Sequence, residues 1–439
     1  MIEISSIFLQ LLFFLIIFSF PFKTKFLNNF FDLKENTINL IDCHVINIIF
    51  FMYILLILSF LNIDIELIFN IYIVISVLFL LINYKNFFIE ICKINLFKSI
   101  YLLILLISIF ISIAHDLKLE WDGHFWIEKA LVFFQGREIQ NLVETNTHPH
   151  YPHLGSYIWA FFWKNSIIEF EYFGRFFYAY FYIFSILALM NTLNIKSIKI
   201  ILILIFSIIL LTYDSYLFKG YQEYLIFGTL VIASRFIFLI NFYKKLSSKK
   251  IFLILSTLYL LVWFKQEGLV YYLIFSILLI LSTKNSYLSK FNWILLIFFS
   301  TLTQYLLKYY VIGIYAFGHS NIANYIPILL DFNLLITKIF EITKHIIITF
   351  IKYPMWIVVI LAASLLINKK DVLDLKVKYF VNSFLINIIF IYGTFINFEN
   401  LDFYLKVSLD RLLLQTLGFY IVLVLMLLNN NKLKILNLK

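Results

Sequence analysis

The stretch Ile251-Phe-Leu-Ile-Leu-Ser-Thr-Leu-Tyr-Leu-Leu-Val-Trp-Phe-Lys-Gln-Glu-Gly-Leu-Val-Tyr-Tyr-Leu-Ile-Phe-Ser-Ile-Leu-Leu-Ile-Leu281 is apolar on both sides of one polar tetrapeptide, Lys265–Gly268. Read as one helix, its 31 residues would be about 46 Å long, too long for a single crossing of a hydrocarbon core about 30 Å thick. Two short helices meeting at a polar kink fit better. Apolar runs in lipid satisfy their backbone only inside helices or closed barrels. A barrel would show alternating segments of about ten residues instead of solid blocks.

The rest of the chain repeats this pattern. Of 439 residues, 63% are hydrophobic and only 14% charged, against about 25% charged in average soluble domains. Apolar blocks at about 4–20, 45–63, 66–83, 97–114, 172–193, 197–213, 222–241, 251–264, 268–282, 291–312, 354–368, 379–395 and 411–428 predict an all-α, polytopic membrane protein with about thirteen transmembrane helices. Segments 153–166 and 333–352 are expected to lie along the membrane surface, as interfacial helices.

The net charge of +10 resides in short loops, so it reads as an orientation signal and not as a nucleic-acid surface. Lys23, Lys25 and Lys34, Lys85, Lys93 and Lys98, Lys196 and Lys199, and Lys244, Lys245, Lys249 and Lys250 all fall on one side, read as the cytoplasm. So do Lys284, Lys290, Lys369, Lys370, Lys376, Lys378, Lys432, Lys434 and Lys439. Cys43 and Cys92 are placed in these reducing-side loops, so no disulfide is expected. Met1–Ser5 lacks a basic n-region, and Ile7–Phe20 is read as a retained helix ending near Pro21. The opposite side receives His115–Pro152, Asp214–Gln222, Lys265–Gly268, Asn397–Arg411 and the less distinctive Gly313–Phe332. Most residues capable of chemistry fall there.

In the first of these segments, Asp122 to Gly136 has helical spacing, with Trp126, Ala130, Phe133 and Phe134 on one face and Gly136 as a stop. Asp122 is then either a helix cap or a general base at the membrane surface. His148-Pro-His-Tyr-Pro-His153 follows, stiffened by its two X-Pro steps. Its histidine spacing matches no strong zinc pattern, so a rigid loop lining a polar cavity is expected and no metal or cofactor is assigned.

Lys265 and Glu267 read either as groups facing a wet cavity or as a snorkelling lysine neutralised by its neighbour. Glu223 suits a helix N-terminus. Ser408-Leu-Asp-Arg411 is read as opening the last helix at its outer end. An arginine there opposes the helix dipole, so anion binding or a pair with Asp410 or Glu399 explains it better. Carboxylates and cations together beside a membrane suit a reaction on an anionic lipid.

In this order the motifs resemble the GT-C superfamily of integral membrane glycosyltransferases, which includes the protein O-mannosyltransferases and the aminoarabinose transferases of lipid A. Glu120-Trp-Asp122 with Phe125-Trp-Ile-Glu-Lys-Ala130 resembles the catalytic outer loop, and His148–Gly155 the stretch after it. Gly220-Tyr-Gln-Glu223 resembles the second acidic motif, Trp263–Gly268 the element between two short helices, and Ser408–Arg411 a late Ser-x-Asp-Arg motif. The resemblance implies transfer from a polyprenyl-phosphate sugar with inversion. It would make Asp122 the base, with Glu120 and Glu223 as further catalytic carboxylates, and put Lys265, Glu267, Arg411, His148, His150 and Tyr151 against substrate. It implies an N-terminal helical region at 1–96, a catalytic module at 97–312 with outer loop 115–152, and C-terminal helices at 313–439. The setting implied is a bacterial inner membrane, with the site facing outward. An O-antigen polymerase or ligase and a polytopic transporter are the alternatives. The sequence does not specify the oligomeric state.

Overall fold

The computed structural model describes residues 2–31, 38–92, 119–120, 122–145, 148–166, 168–192, 219–314, 325–368, 371 and 373–436. All regular structure among them is helical. Six of these helices are long and apolar enough to cross a membrane: Leu40–Ser59, Ile65–Asn86, Tyr172–Leu189, Tyr287–Ile312, Leu375–Ile396 and Leu401–Asn430. Phe332–Lys352 and Met355–Leu366, bent by 93° at their junction, add a seventh if taken as one broken span. The chain thus has the make-up of a multi-pass membrane protein. The predicted helices at 97–114 and 197–213 lie outside the described residues, as do His115 and Asp116.

Two compact units divide the chain. Unit 1 takes the described residues of Met1–Asn191, Asp214–Ile232 and Leu306–Ile314. Its helices are α1 (Ile2–Ile17), α2 (Thr24–Phe30), α3 (Leu40–Ser59), α4 (Ile65–Cys92), α5 (Asp122–Phe134), α6 (Leu154–Lys164), α7 (Tyr172–Met190) and the start of α8 (Glu223–Leu239). A 3-10 turn at Ile139–Glu144 and a π-helical turn at Leu307–Ile312 complete it. Cys43, expected in a loop, lies in the first turn of α3, where its thiol donates to the Phe22 carbonyl. A capping box between Asn39 and Asp42 starts α3 earlier than hydropathy alone placed it.

The α3 helix, 20 residues and about 30 Å long, separates two chemically different ends of unit 1. At its start, Asn39 accepts a hydrogen bond from Asn191 at the end of α7, and Lys23 lies over the Phe79 ring. At its finish, the Ser59 hydroxyl meets His153 at 2.9 Å. The basic turn after α1 is therefore at one end and the histidine loop at the other. Within 153–166, every residue of α6 from Leu154 to Phe162 is buried, wrapped by α3, α4, α5 and α7.

Unit 2 contains α9 (Ser248–Tyr259), α10 (Leu261–Phe264), α11 (Gln266–Ser282), α12 (Tyr287–Leu306), α13 (Tyr325–Leu330), α14 (Phe332–Lys352), α15 (Met355–Leu366), α16 (Leu375–Ile396) and α17 (Leu401–Leu436). Its basic loops also meet at one end. Leu246 and Asn285 exchange hydrogen bonds of 2.9 and 3.2 Å, Lys284 sits over the Tyr243 ring, and Lys376 donates to the Phe238 carbonyl at 2.7 Å. The length of α11 separates these loops from the Lys265 break.

The break has the predicted form of two helices and a polar kink. Lys265 is extended (φ −146°, ψ 164°) between α10 and α11. A Cβ on Gly268 would lie 1.9 Å from the Leu261 carbonyl oxygen, so the close return of the chain requires glycine there. The start of the last helix needs correction: α17 begins at Leu401, ten residues before Arg411. Its first turns are exposed and polar enough to read as a loop, yet Asp402 and Lys406 form an i,i+4 pair that supports helix.

Candidate functional site

The first turn of α5 carries Asp122, partly exposed, and packs backbone-to-backbone against the turn before α8. A Cβ on Gly123 would come within 2.1 Å of the Lys219 carbonyl oxygen. Gly220, in the left-handed region at φ +82°, presents its Cα to the Gly123 Cα and the Trp159 ring. Two glycines are needed because neither backbone leaves room for a side chain. Across this contact the Glu120 carboxylate pairs with the Lys219 ammonium at 2.6 Å. The pair is partly exposed, so it adds little stability, but it ties the residue before the α5 turn to the second loop.

Two residues beyond Gly220, Gln222 and Glu223 open α8, and both are fully buried. The Gln222 amide lies flat on Gly155, whose missing Cβ makes the space it fills. The Gly155 carbonyl accepts from the Tyr178 hydroxyl at 2.9 Å. Behind Trp159 stands an ion pair buried on its cationic side: Arg175 holds the half-buried Glu171 at 2.7 Å and lies 5.8 Å from the centre of the Trp159 ring. Burial raises the Glu171 carboxyl above the ordinary carboxylate range, against the opposing pull of Arg175.

The histidine loop lies against α5. Its turn is closed by the Tyr151 amide donating to the His148 carbonyl at 3.0 Å, with Pro149 in the turn and His148 in the left-handed region at φ +45°. The His148 and Tyr151 rings stack at 4.9 Å, and Tyr151 stacks on Trp126 at 5.6 Å. Lys129, fully buried, donates to the carbonyls of Tyr151 (2.7 Å) and Pro149 (3.3 Å). Lys308, from the π-helical turn, donates to the His150 carbonyl between them. Burial, then the nearby Lys308 charge, pushes the Lys129 ammonium well below the usual lysine range, while Glu128 pulls it the other way. Burial and the same two lysines hold His153 at about 3. His153 turns away to Ser59, so the three histidines do not converge. Among the described residues no group of three His, Cys, Asp or Glu is placed to hold a metal.

Asp122, Glu120, Glu223, His148, His150 and Tyr151 therefore all belong to unit 1. Lys265, Glu267 and Arg411 belong to unit 2. There Lys265 is buried, not snorkelling to solvent, and its ammonium reaches the Glu267 carboxylate at 3.7 Å. Arg411 lies inside α17, not at its mouth, and so does not oppose the dipole at the helix N-terminus. Its Nε donates to the Val407 carbonyl at 3.0 Å and its guanidinium reaches the Ser408 hydroxyl at 3.3 Å. The Tyr271 hydroxyl, on α11, donates to the neighbouring Leu412 carbonyl at 3.5 Å.

Sequence reasoning missed Lys129, Lys308, Gln222 and the Glu171–Arg175 pair. Lys129 offered one signal: it falls i+3 from Trp126 and i−4 from Phe133, on the apolar stripe, where a solvated lysine does not belong. No family model, curated protein or solved structure matches the chain.

Proposed function

We propose that this chain is a membrane glycosyltransferase of the GT-C type, moving a sugar from a polyprenyl-phosphate donor to a cell-envelope glycan, lipid or protein. The observation that carries this reading is the Gly123 contact with Lys219–Gly220. It joins the Asp122 turn to the segment of Glu223, two acidic motifs about a hundred residues apart in the chain. The reading keeps the hydropathy-based expectation of about thirteen spans for the whole chain. The histidine-loop ends would face outward from a bacterial inner membrane, and the basic loops the cytoplasm.

In the proposed reaction Asp122 takes the proton of the acceptor hydroxyl. The acceptor oxygen bonds to the anomeric carbon from the face opposite the leaving group. The bond from that carbon to the phosphate oxygen breaks, and polyprenyl phosphate leaves with the electron pair. The negative charge that develops on phosphate calls for cations, the role that the resemblance implies for Lys265 and Arg411. Glu120, paired with Lys219, orients the turn, and Glu223 supplies a second, buried carboxylate.

The test is transfer in membranes from radiolabelled polyprenyl-phosphate sugars, wild type against Asp122→Asn. Loss of at least a hundredfold at normal protein level is expected. Unchanged transfer moves the base to Glu120 or Asp116. A wild-type protein inert with every donor sinks the reading and returns the polymerase and transporter alternatives.

A further inference from the structure

Among the described residues only Gln222 and Gln415 leave both atoms of a buried side-chain amide without a hydrogen-bond partner. Gln415 lies within the long apolar helix α17, whereas Gln222 lies beside the acidic turn. Leaving such a group unsatisfied costs about 1–3 kcal/mol per missing bond, and native structures rarely retain it without a use. The Gln222 side chain does not cap α8: its oxygen accepts no hydrogen bond, while its backbone carbonyl accepts from Leu225 and Ile226 as at any helix start. Its place is shaped for it: a Cβ on Gly155 would stand 2.2 Å from the Gln222 amide oxygen, so glycine clears the floor on which the amide lies.

We infer that Gln222 reads a hydroxyl of the sugar transferred at this site. An amide presents an acceptor oxygen and two N–H donors in one plane. A sugar hydroxyl both donates and accepts, and two neighbouring hydroxyls can engage both ends of the amide. A phosphate would call for cations and a prenyl chain for apolar walls; the neutral amide suits neither. The buried amide opens to the ligand when the sugar enters, and the bonds it lacks in the free protein are made then. This assignment rests on the proposed transfer reaction.

The experiment uses the full chain in nanodiscs, with polyprenyl-phosphate hexoses and their single-position deoxy analogues as donors. Gln222→Met keeps the side-chain length and removes its polar atoms; Gln222→Glu is the second variant, should the first not fold. Wild type is expected to favour the hydroxylated donor at one ring position on the order of tenfold per hydrogen bond, and the variants to lose that preference. Transfer by wild type with the same preferences in both variants overturns the assignment and leaves the reaction standing. So does a Gln222→Met protein that is more heat-stable and fully active, since a buried water or a bare orphan would explain that. If wild type transfers nothing, the reaction fails, and the thermal shift given by alkyl glycosides differing in one hydroxyl decides the inference separately. A hydroxyl-dependent shift lost in the variants supports it, and equal shifts overturn it.

Discussion

Gly123 meets the carbonyl oxygen of Lys219 so closely that a methyl group on its Cα would stand 2.1 Å from that oxygen. The obstacle is backbone, which cannot rotate aside. Gly123→Ala should therefore separate the two acidic loops and lower stability by about 1–3 kcal/mol, with transfer lost beyond what stability explains. Gly136 is the control. At φ +71° with nothing within 4 Å, it closes α5 through hydrogen bonds from Gly136 to Phe133 and from Arg137 to Val132. Gly136→Ala should cost roughly 1–2 kcal/mol through conformation alone and leave transfer intact. Melting midpoints and transfer rates of the two variants, side by side, separate contact from strain.

Lys129→Met removes the donor to two loop carbonyls and also a buried cation, so its effects on global stability oppose one another. The local effect is unambiguous. Amide hydrogen exchange across 148–153 should quicken at least tenfold in the variant, with α7 unchanged. Equal protection would show that the stacking of His148, Tyr151 and Trp126 holds the loop unaided.

His153 is held neutral, at about 3 against an ordinary 6.5. The unfolded chain binds a proton below about 6.5 that the folded chain refuses, so stability is full above that value and falls as the pH drops toward 3. The slope is at most about 1.4 kcal/mol per pH unit. Melting curves between pH 7 and 4 for wild type and His153→Gln should diverge in that window, the variant losing less. Parallel curves would refute a buried neutral histidine.

Arg175 and Glu171 support Trp159, which in turn lies against Gly220. Breaking a buried pair from one side strands a charge, so Arg175→Met should lower stability by about 3–5 kcal/mol. Adding Glu171→Gln should recover much of it. A double variant no better than the single would mean that the guanidinium's stacking on Trp159 matters more than the pair.

What was legible in the sequence was what local rules govern. Gly136 stops a helix because of its own backbone, and Lys265–Gly268 breaks one because charged groups interrupt an apolar run. The pairing of Glu120 with Lys219 and the seating of Gln222 on Gly155 depend on segments far apart in the chain, and nothing in either segment encodes the other. Lys129 was passed over because lysine on an apolar stripe is normally counted as a side chain that escapes to solvent. Arg411 was misplaced because the polar start of α17 has a loop's composition, while its i,i+4 pair gives it a helix's stability.

The histidine loop has one more consequence. Pro149 and Pro152 contribute no backbone N–H, so the segment has few donors with which to organise itself. Lys129 and Lys308 provide what the backbone lacks, acting as two side-chain donors to main-chain carbonyls, brought in from other helices. The loop's path is thereby set in part from outside it, by groups that bind its carbonyls, Lys129 lying also over the Tyr151 ring. The loop therefore has two independent supports, lysine donors on its carbonyls and ring stacking of His148 and Tyr151 on Trp126, and loss of one leaves the other in place.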